Sequence, residues 1–195
     1  MAITTLNNRA INRTDTASSG QLWTATSATA SDFQAAAAAG KLVQMVNTQN
    51  AAVSSGTTVM PYDDTIPQND EGIEVMTLAI TPTNSSNKLK IDVVVHANNA
   101  STSNQQLTCA LFQDTTANAL ACSFQEADTG GSGAGWWGAF HNFTHYMAAG
   151  TTSSTTFKVR VGCAQSGTTT FNGLGGSRLG GGVVASSITI MEYEV

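Results

Sequence analysis

Charge is scarce in this 195-residue chain. Asp, Glu, Lys and Arg together make up 11% of it, against about a quarter in an ordinary soluble domain. Eight residues are Lys or Arg, they are scattered, and the formal net charge is −5. A nucleic-acid binder needs a basic footprint, so that class is excluded. The three cysteines, Cys109, Cys122 and Cys163, are odd in number and show no CxxC spacing. Cys109 and Cys163 fall within strand-like runs, where buried free thiols are expected rather than a bridge or a metal site. No apolar run approaches the ~20 residues that span a bilayer. The start, Met-Ala-Ile-Thr-Thr-Leu, lacks the charged and apolar regions of a signal peptide. The expectation is a soluble protein made in a cytoplasm, with no membrane insertion.

Catalytic signatures are missing too. No serine sits in a GxSxG turn, and no cysteine–histidine pairing can be argued from spacing. The glycine-rich run from Gly173 to Gly182 lacks the GxxxxGK[ST] spacing of a phosphate loop and a helix to follow it. Paired carboxylates for glycoside cleavage need only spatial proximity, but a depolymerase would need a larger groove than this chain can build. Neither an enzyme nor a cofactor is expected.

What the chain does have is alternation. In Lys88–Ala97, Leu89, Ile91, Val93 and Val95 take every second position, with Lys88, Lys90, Asp92 and His96 between them. Side chains of a strand point to opposite faces in turn, so this is a half-buried strand. Pro82 and Asn84–Asn87 supply the turn that leads into it. Further strand-like runs are Leu42–Val46, Gly72–Thr81, Gln106–Phe112, Leu120–Phe124, Ala139–Met147, Thr155–Cys163, Thr168–Phe171 and Ser187–Val195. Gly72–Thr81 and the last run carry apolar residues in both phases, which predicts for the first a strand central in a sandwich or at a subunit contact, and for the last one central in its sheet or sealed by a neighbouring subunit. Pro61 and Pro67 exclude a central strand between residues 56 and 71. Many short strands with Gly-rich turns predict an all-β fold, an antiparallel, jelly-roll-like β-sandwich spanning residues 41–195.

Residues 1–40 differ. They carry isolated apolar anchors among Ala, Thr and Ser, and they read as an extended N-terminal anchoring arm. Arg9, Ile11, Arg13, Leu22, Trp23 and Phe33 are its candidate contacts. Asp32 as N-cap and Gly40 as C-cap could bound one or two helical turns. The arm lies either on sister subunits or a larger assembly, or back on its own domain.

Several stretches resemble the C-terminal head of short tail-fibre and related virion surface proteins of tailed bacteriophages. They are Tyr62-Asp-Asp-Thr-Ile-Pro-Gln-Asn, Leu78-Ala-Ile-Thr-Pro-Thr-Asn-Ser-Ser-Asn-Lys-Leu, Ala110-Leu-Phe-Gln-Asp-Thr-Thr-Ala-Asn-Ala-Leu-Ala, Met147-Ala-Ala-Gly-Thr-Thr-Ser-Ser-Thr-Thr-Phe-Lys-Val-Arg and Ala185-Ser-Ser-Ile-Thr-Ile. Together they cover most of residues 41–195. Such heads are similar to trimeric jelly rolls of the tumour-necrosis-factor and complement type. The resemblance therefore implies a homotrimer located in a virion. Its partners would be itself, a tail adaptor or the major capsid protein, and a host-surface glycan. A long fibre would carry a repetitive shaft before the head, and only 40 residues precede this one. That opens a second role, a decoration protein clamping the capsid through the arm. A third reading is a stand-alone carbohydrate-binding module.

The most suggestive local feature is Gly130-Gly-Ser-Gly-Ala-Gly-Trp-Trp-Gly. Trp136 or Trp137, exposed on a loop, could stack on a sugar ring, or either ring could fill the core or a trimer seam. Arg178, in the second glycine cluster, is a candidate contact to an anionic glycan or a neighbouring subunit. Asp63, Asp64, Asp70, Glu71 and Glu74 form an acidic neighbourhood whose spacing does not match a Ca²⁺ loop, so a solvated loop is the expectation. His141 and His145 would stand roughly 13 Å apart on one strand face, too far to share a metal ion.

Overall fold

The computed structural model describes residues 21–25, 31–35, 40–101, 105–127 and 135–195. Among these the strands are, in chain order, β1 (Gln21–Ala25), β2 (Ser31–Ala35), β3 (Leu42–Asn50), β4 (Ser54–Gly56), β5 (Ile73–Ile80), β6 (Lys88–Ser101), β7 (Gln105–Gln113), β8 (Ala121–Ala127), β9 (Gly135–Ala148), β10 (Thr155–Cys163), β11 (Thr168–Phe171), β12 (Gly173–Leu174), β13 (Ser177–Arg178) and β14 (Ser186–Tyr193). A single 3₁₀ turn, Gly180–Gly182, interrupts them.

The chain divides into two compact units, residues 1–39 and 40–195. In the first, β1 and β2 pair antiparallel, with Trp23 opposite Phe33. This corrects the helical turn expected after Asp32, at least through Ala35. A helix of one or two turns is marginal alone, whereas pairing with β1 gives this backbone a ladder. Residues 36–39 lie outside the described ones.

The second unit is a two-sheet sandwich. One sheet runs β3-β14-β6-β9 and the other β5-β10-β7-β8. Numbered 1 to 8 along the chain, these long strands are ordered 1-8-3-6 and 2-7-4-5. That is the order of a jelly roll, two interlocked Greek keys. The strand anticipated at Lys88–Ala97 is the centre of the first sheet. β6 pairs with β9 along its whole length on one edge. On the other edge it pairs with β14 as far as Val94, then with β11 from Ala97.

A buried polar knot manages that change of partner. Asn172 adopts a left-handed φ of 54°, a conformation Asn tolerates better than most residues. Its amide donates to the carbonyls of Asn50 (2.6 Å) and Ala52 (3.1 Å), and its Oδ1 accepts from Ser186 Oγ (2.6 Å). Ser186 Oγ in turn accepts from the backbone N of His96.

The core lies between the sheets. Leu89, Ile91, Val93, Val95, Ile188, Ile190 and Phe171 come from the first sheet; Leu107, Cys109, Leu111, Phe157, Val159 and Val161 come from the second. A smaller cluster of Met60, Ala110 and Phe112 lies on the far side of β7, where residues 57–72 cover the second sheet. Met60 N donates to Cys163 O (3.0 Å), while Arg160 donates to the carbonyls of Glu71 (2.7 Å) and Gly72 (2.9 Å).

Two expectations about doubly apolar strands come out differently. β14 is interior, held between β3 and β6. β5, however, is an edge strand of its sheet. Its two apolar phases have a local cause: the register with β10 shifts between Val159 and Arg160, leaving Val75 as the extra residue. A bulge turns both of its neighbouring positions toward the same layer, and Val75 and Met76 are both buried.

Candidate functional site

The inward stripe of β6 fixes the faces of β9. With Leu89, Ile91, Val93 and Val95 in the core and β9 antiparallel in register, Ala139, His141, Phe143, His145 and Met147 share the core phase. Phe140, Asn142, Thr144 and Tyr146 must then face outward. A cross-strand row Met45–Met191–Lys90–Tyr146 results, followed by Asn47–Thr189–Asp92–Thr144 and Gln49–Ser187–Val94–Asn142.

This outer face is apolar for its position. Phe140 is 66% exposed, Tyr146 65% and Met45 58%, and Val94 is exposed between them. His96 packs against Phe140 with the rings tilted by 53° and their centroids 4.6 Å apart. Two of the charges of β6 on this face neutralise each other, and Lys88 stands exposed at its end. Lys90 Nζ donates to Asp92 Oδ2 at 2.7 Å, and Thr144 Oγ1 donates to Asp92 Oδ1 at 2.5 Å. The hydrogen bond from Lys90 to Asp92 raises the Lys90 pKa. A sheet face carrying exposed aromatics and methionine around a neutralised ion pair is suited to packing against another protein surface. Sequence alone did not single out Phe140, Tyr146 or Met45. Both phases of β9 mix apolar and polar residues, so only the register against β6 tells them apart.

Trp136 and Trp137 belong to β9, opposite Ala100 and Asn99. They are therefore in a strand, not on the loop that the sugar-stacking reading assumed, because the long partner β6 carries the ladder out to Gly135. Their side chains lie outside the described ones, as do residues 128–134. Arg178 is exposed on β13, whose short hairpin with β12 pairs it with Gly173. Of the arm residues, Leu22 and Trp23 lie in β1 and Phe33 in β2; Arg9, Ile11 and Arg13 lie outside the described residues.

The acidic residues 63–74 are dispersed among separate local tasks. Asp63 Oδ1 accepts from Thr65 N (2.8 Å) and Thr65 Oγ1 (2.5 Å). Those bonds hold its carboxyl below the usual range. Glu71 accepts from Gln68 N (2.8 Å), and Glu74 lies 3.6 Å from Arg160 and 3.8 Å from Lys158. Among the described residues, no group of three or more His, Cys, Asp or Glu could hold a metal ion.

His141 is fully buried, with Nδ1 3.2 Å from Ser123 Oγ. Burial lowers its pKa to about 4, against a smaller upward pull from Ser123. His96 and His145 are also lowered by burial. Cys109 and Cys163 are buried free thiols, as their strand positions suggested, and Cys122 is half-buried. Burial raises the pKa of Cys109 and of Cys122.

No family model matches the chain, and no curated protein does. Solved structures with partial likeness include the CBM22-1 xylan-binding domain from Paenibacillus barcinonensis, at 10% identity and a TM-score of 0.34, covering 82% of this chain and 99% of that one. The structure of the infectious bursal disease virus Gx strain gives 13% identity and 0.33, covering 85% of this chain and 40% of that one. The VP2 subviral particle of the same virus gives 8% and 0.33, covering 87% and 41%. Likeness this low establishes no shared ligand, partner or role.

Proposed function

We propose that this chain is a non-enzymatic structural protein of a tailed-bacteriophage virion, a homotrimeric surface protein whose head contributes to attachment to host-surface glycan. The single observation that carries self-association is the outer face of the β3-β14-β6-β9 sheet. Phe140, Tyr146 and Met45 stand exposed there around an internally neutralised Lys90–Asp92 pair. Burying such a face against sister subunits would remove apolar surface from water at about 25 cal/mol per Å², while the exposed Lys88 at its end would have to stay at the rim or find a partner. A chain with only 11% charged residues is compatible with close packing of copies. The virion assignment rests on the resemblance of segments across residues 41–195. Within this reading, Trp136, Trp137 and Arg178 are the glycan-contact candidates. The arm, through Arg9, Ile11, Arg13, Leu22, Trp23 and Phe33, joins the trimer to a tail adaptor or the capsid. Weak sites gain by avidity when three are presented together.

The first test is mass in solution. A trimer that Phe140→Ser/Tyr146→Ser reduces to monomer supports the reading. A strict monomer overturns it and favours a stand-alone carbohydrate-binding module. The second test adds fluorescently labelled protein to host cells and to virions stripped of it. Saturable cell binding lost in Trp136→Ala/Trp137→Ala supports attachment through that strand. Binding to capsids alone, abolished by deleting residues 1–40, makes the protein a capsid decoration protein instead.

A further inference from the structure

On the opposite sheet, residues 62–67 and 119–124 enclose an open cleft of about 310 Å³. Asp63 to Pro67 form one wall; Ala119, Leu120, Ala121, Cys122 and Phe124 form the other. It continues into a second hollow of about 270 Å³ lined by Tyr62, Asp63, Asp64 and Phe124. The walls are tied together below the opening. Ala119 N donates to Pro67 O (2.9 Å), Asn69 N to Ala117 O (2.8 Å), and Gln68 Nε2 to Asn118 Oδ1 (3.1 Å). The cleft is therefore pre-formed rather than a gap between loose loops.

Its lining has three properties. The first is aromatic and aliphatic surface left in water: Tyr62 and Phe124 meet edge to face at 5.1 Å between centroids and 79°, yet remain 37% and 39% exposed, and Ile66 is 55% exposed. The second is a pair of carboxylates at the opening. Asp63 is held in place through one oxygen by Thr65, and Asp64 stands beside it, so both offer acceptors to a ligand. The third is the lack of any Lys, Arg or His among the lining residues. A carboxylate only accepts hydrogen bonds, so the fitting ligand presents several donors. It also needs an apolar face for the ring edges and for Ile66, and it carries no negative charge. The volume lies at the low end of small-molecule pockets, about 300–1,000 Å³, which limits the occupant to one or two rings.

We infer that this cleft binds one or two rings of an uncharged or amine-bearing saccharide, with its apolar C–H face on Phe124 and Ile66 and its hydroxyls donating to Asp63 and Asp64. The inference deepens the attachment reading above by adding a glycan subsite away from Trp136, Trp137 and Arg178. The test titrates the full-length protein with cellotriose, chitotriose and chitosan trimer, and with a galacturonic acid trimer, by calorimetry and saturation-transfer NMR. At least one uncharged or amine-bearing trisaccharide should bind, and Phe124→Ala and Asp64→Asn should each weaken it tenfold or more. Asp70→Asn, outside the cleft, should leave it unchanged. Asp64 is on the surface, so that variant keeps the test valid even if Phe124→Ala unfolds.

Three outcomes overturn the inference: no saccharide binding, binding unaffected by either cleft variant, or equal binding of the acidic trimer. Cell attachment separates the two readings. Cell attachment by a protein that binds no saccharide in this cleft removes the subsite and leaves the attachment role. Saccharide binding by a monomer that ignores host cells keeps the subsite and removes the virion role.

Discussion

Replacing Glu192 by Gln removes one charge from a place where a charge is rare, the inward stripe of an interior strand. Ser186, Ile188, Ile190 and Glu192 of β14 are all buried. The Glu192 carboxylate closes that stripe by accepting from two other segments, β3 and the turn before β6. Oε1 accepts from Thr83 N (2.8 Å), Thr83 Oγ1 (2.9 Å), Asn84 N (3.3 Å) and Asn87 Nδ2 (2.6 Å); Oε2 accepts from Gln44 Nε2 (2.5 Å). Burial alone would raise its pKa, but the bonds from Gln44, Asn87 and Thr83 outweigh it and hold the group at about 2, against an ordinary 4.5. At about 1.4 kcal/mol per pKa unit, full conversion gives about 3 kcal/mol. A solvent cleft lined by Thr83, Asn84 and Asn87 brings water to the far side of these partners, and screening reduces the figure to about 2 kcal/mol. In Glu192→Gln the new amide also directs a donor toward the partners that now donate to the carboxylate, which costs a further fraction. The expected loss at pH 7 is about 2–3 kcal/mol, or about 4–12 °C in Tm for a chain of this size.

Denaturant unfolding of both proteins at one protomer concentration, between pH 7 and 2, measures this. A depressed carboxyl contributes its full stability above its unfolded pKa, 4.5, and loses it as pH falls through its folded value. The gap between the proteins should be constant from pH 7 to 5, then narrow to less than half near pH 2. Equal stability at pH 7, or a gap unchanged to pH 2.5, would refute the reasoning.

His141 acts in the adjoining window. Its folded pKa of about 4 lies below the ordinary 6.5, so the unfolded chain takes up the proton first. Stability should fall from pH 6.5 toward 4 by up to about 1.4 kcal/mol per pH unit; NMR should show the ring still neutral at pH 5, and a ring protonated there would contradict its burial. Gly72 sits at φ +60°, and a Cβ there would come within 2.7 Å of Val161 O and 2.8 Å of Met60 Cε. Gly150 sits at φ +68° with open space around it. Gly72→Ala should therefore cost more than Gly150→Ala, for which backbone strain of about 1–2 kcal/mol is the whole effect. Limited proteolysis should cut residues 57–72 faster in the first variant only; equal stability losses would mean that this segment does not depend on the close approach.

What could be read from the chain follows from how many layers cover each strand. β6 has its core on one side, so Leu89, Ile91, Val93 and Val95 announce it. The strand runs four residues beyond Ala97, where Asn98 and Asn99 are buried polar residues that no apolar period marks. β7 is buried from Leu107 to Phe112 because residues 57–72 lie over its outer face, and a continuous apolar run cannot say what covers it. β5 is apolar in both phases for a different reason: one bulge residue, Val75, changes its phase. The exposed surfaces were hidden more deeply. Phe140 and Tyr146 are outward only because β9 keeps register with β6. Asp64 and Phe124 line one cleft only because Pro67 and Ala119 are bonded across a long stretch of chain. Periodicity reports burial along one strand, whereas both candidate binding surfaces are made by pairings between strands. A one-residue slip of β9 against β6 would turn Phe140 and Tyr146 inward and bring His141 and His145 to the surface. The two histidines should therefore lose their depressed pKa values in any variant that shifts this register, and their titration reports the integrity of the outer face.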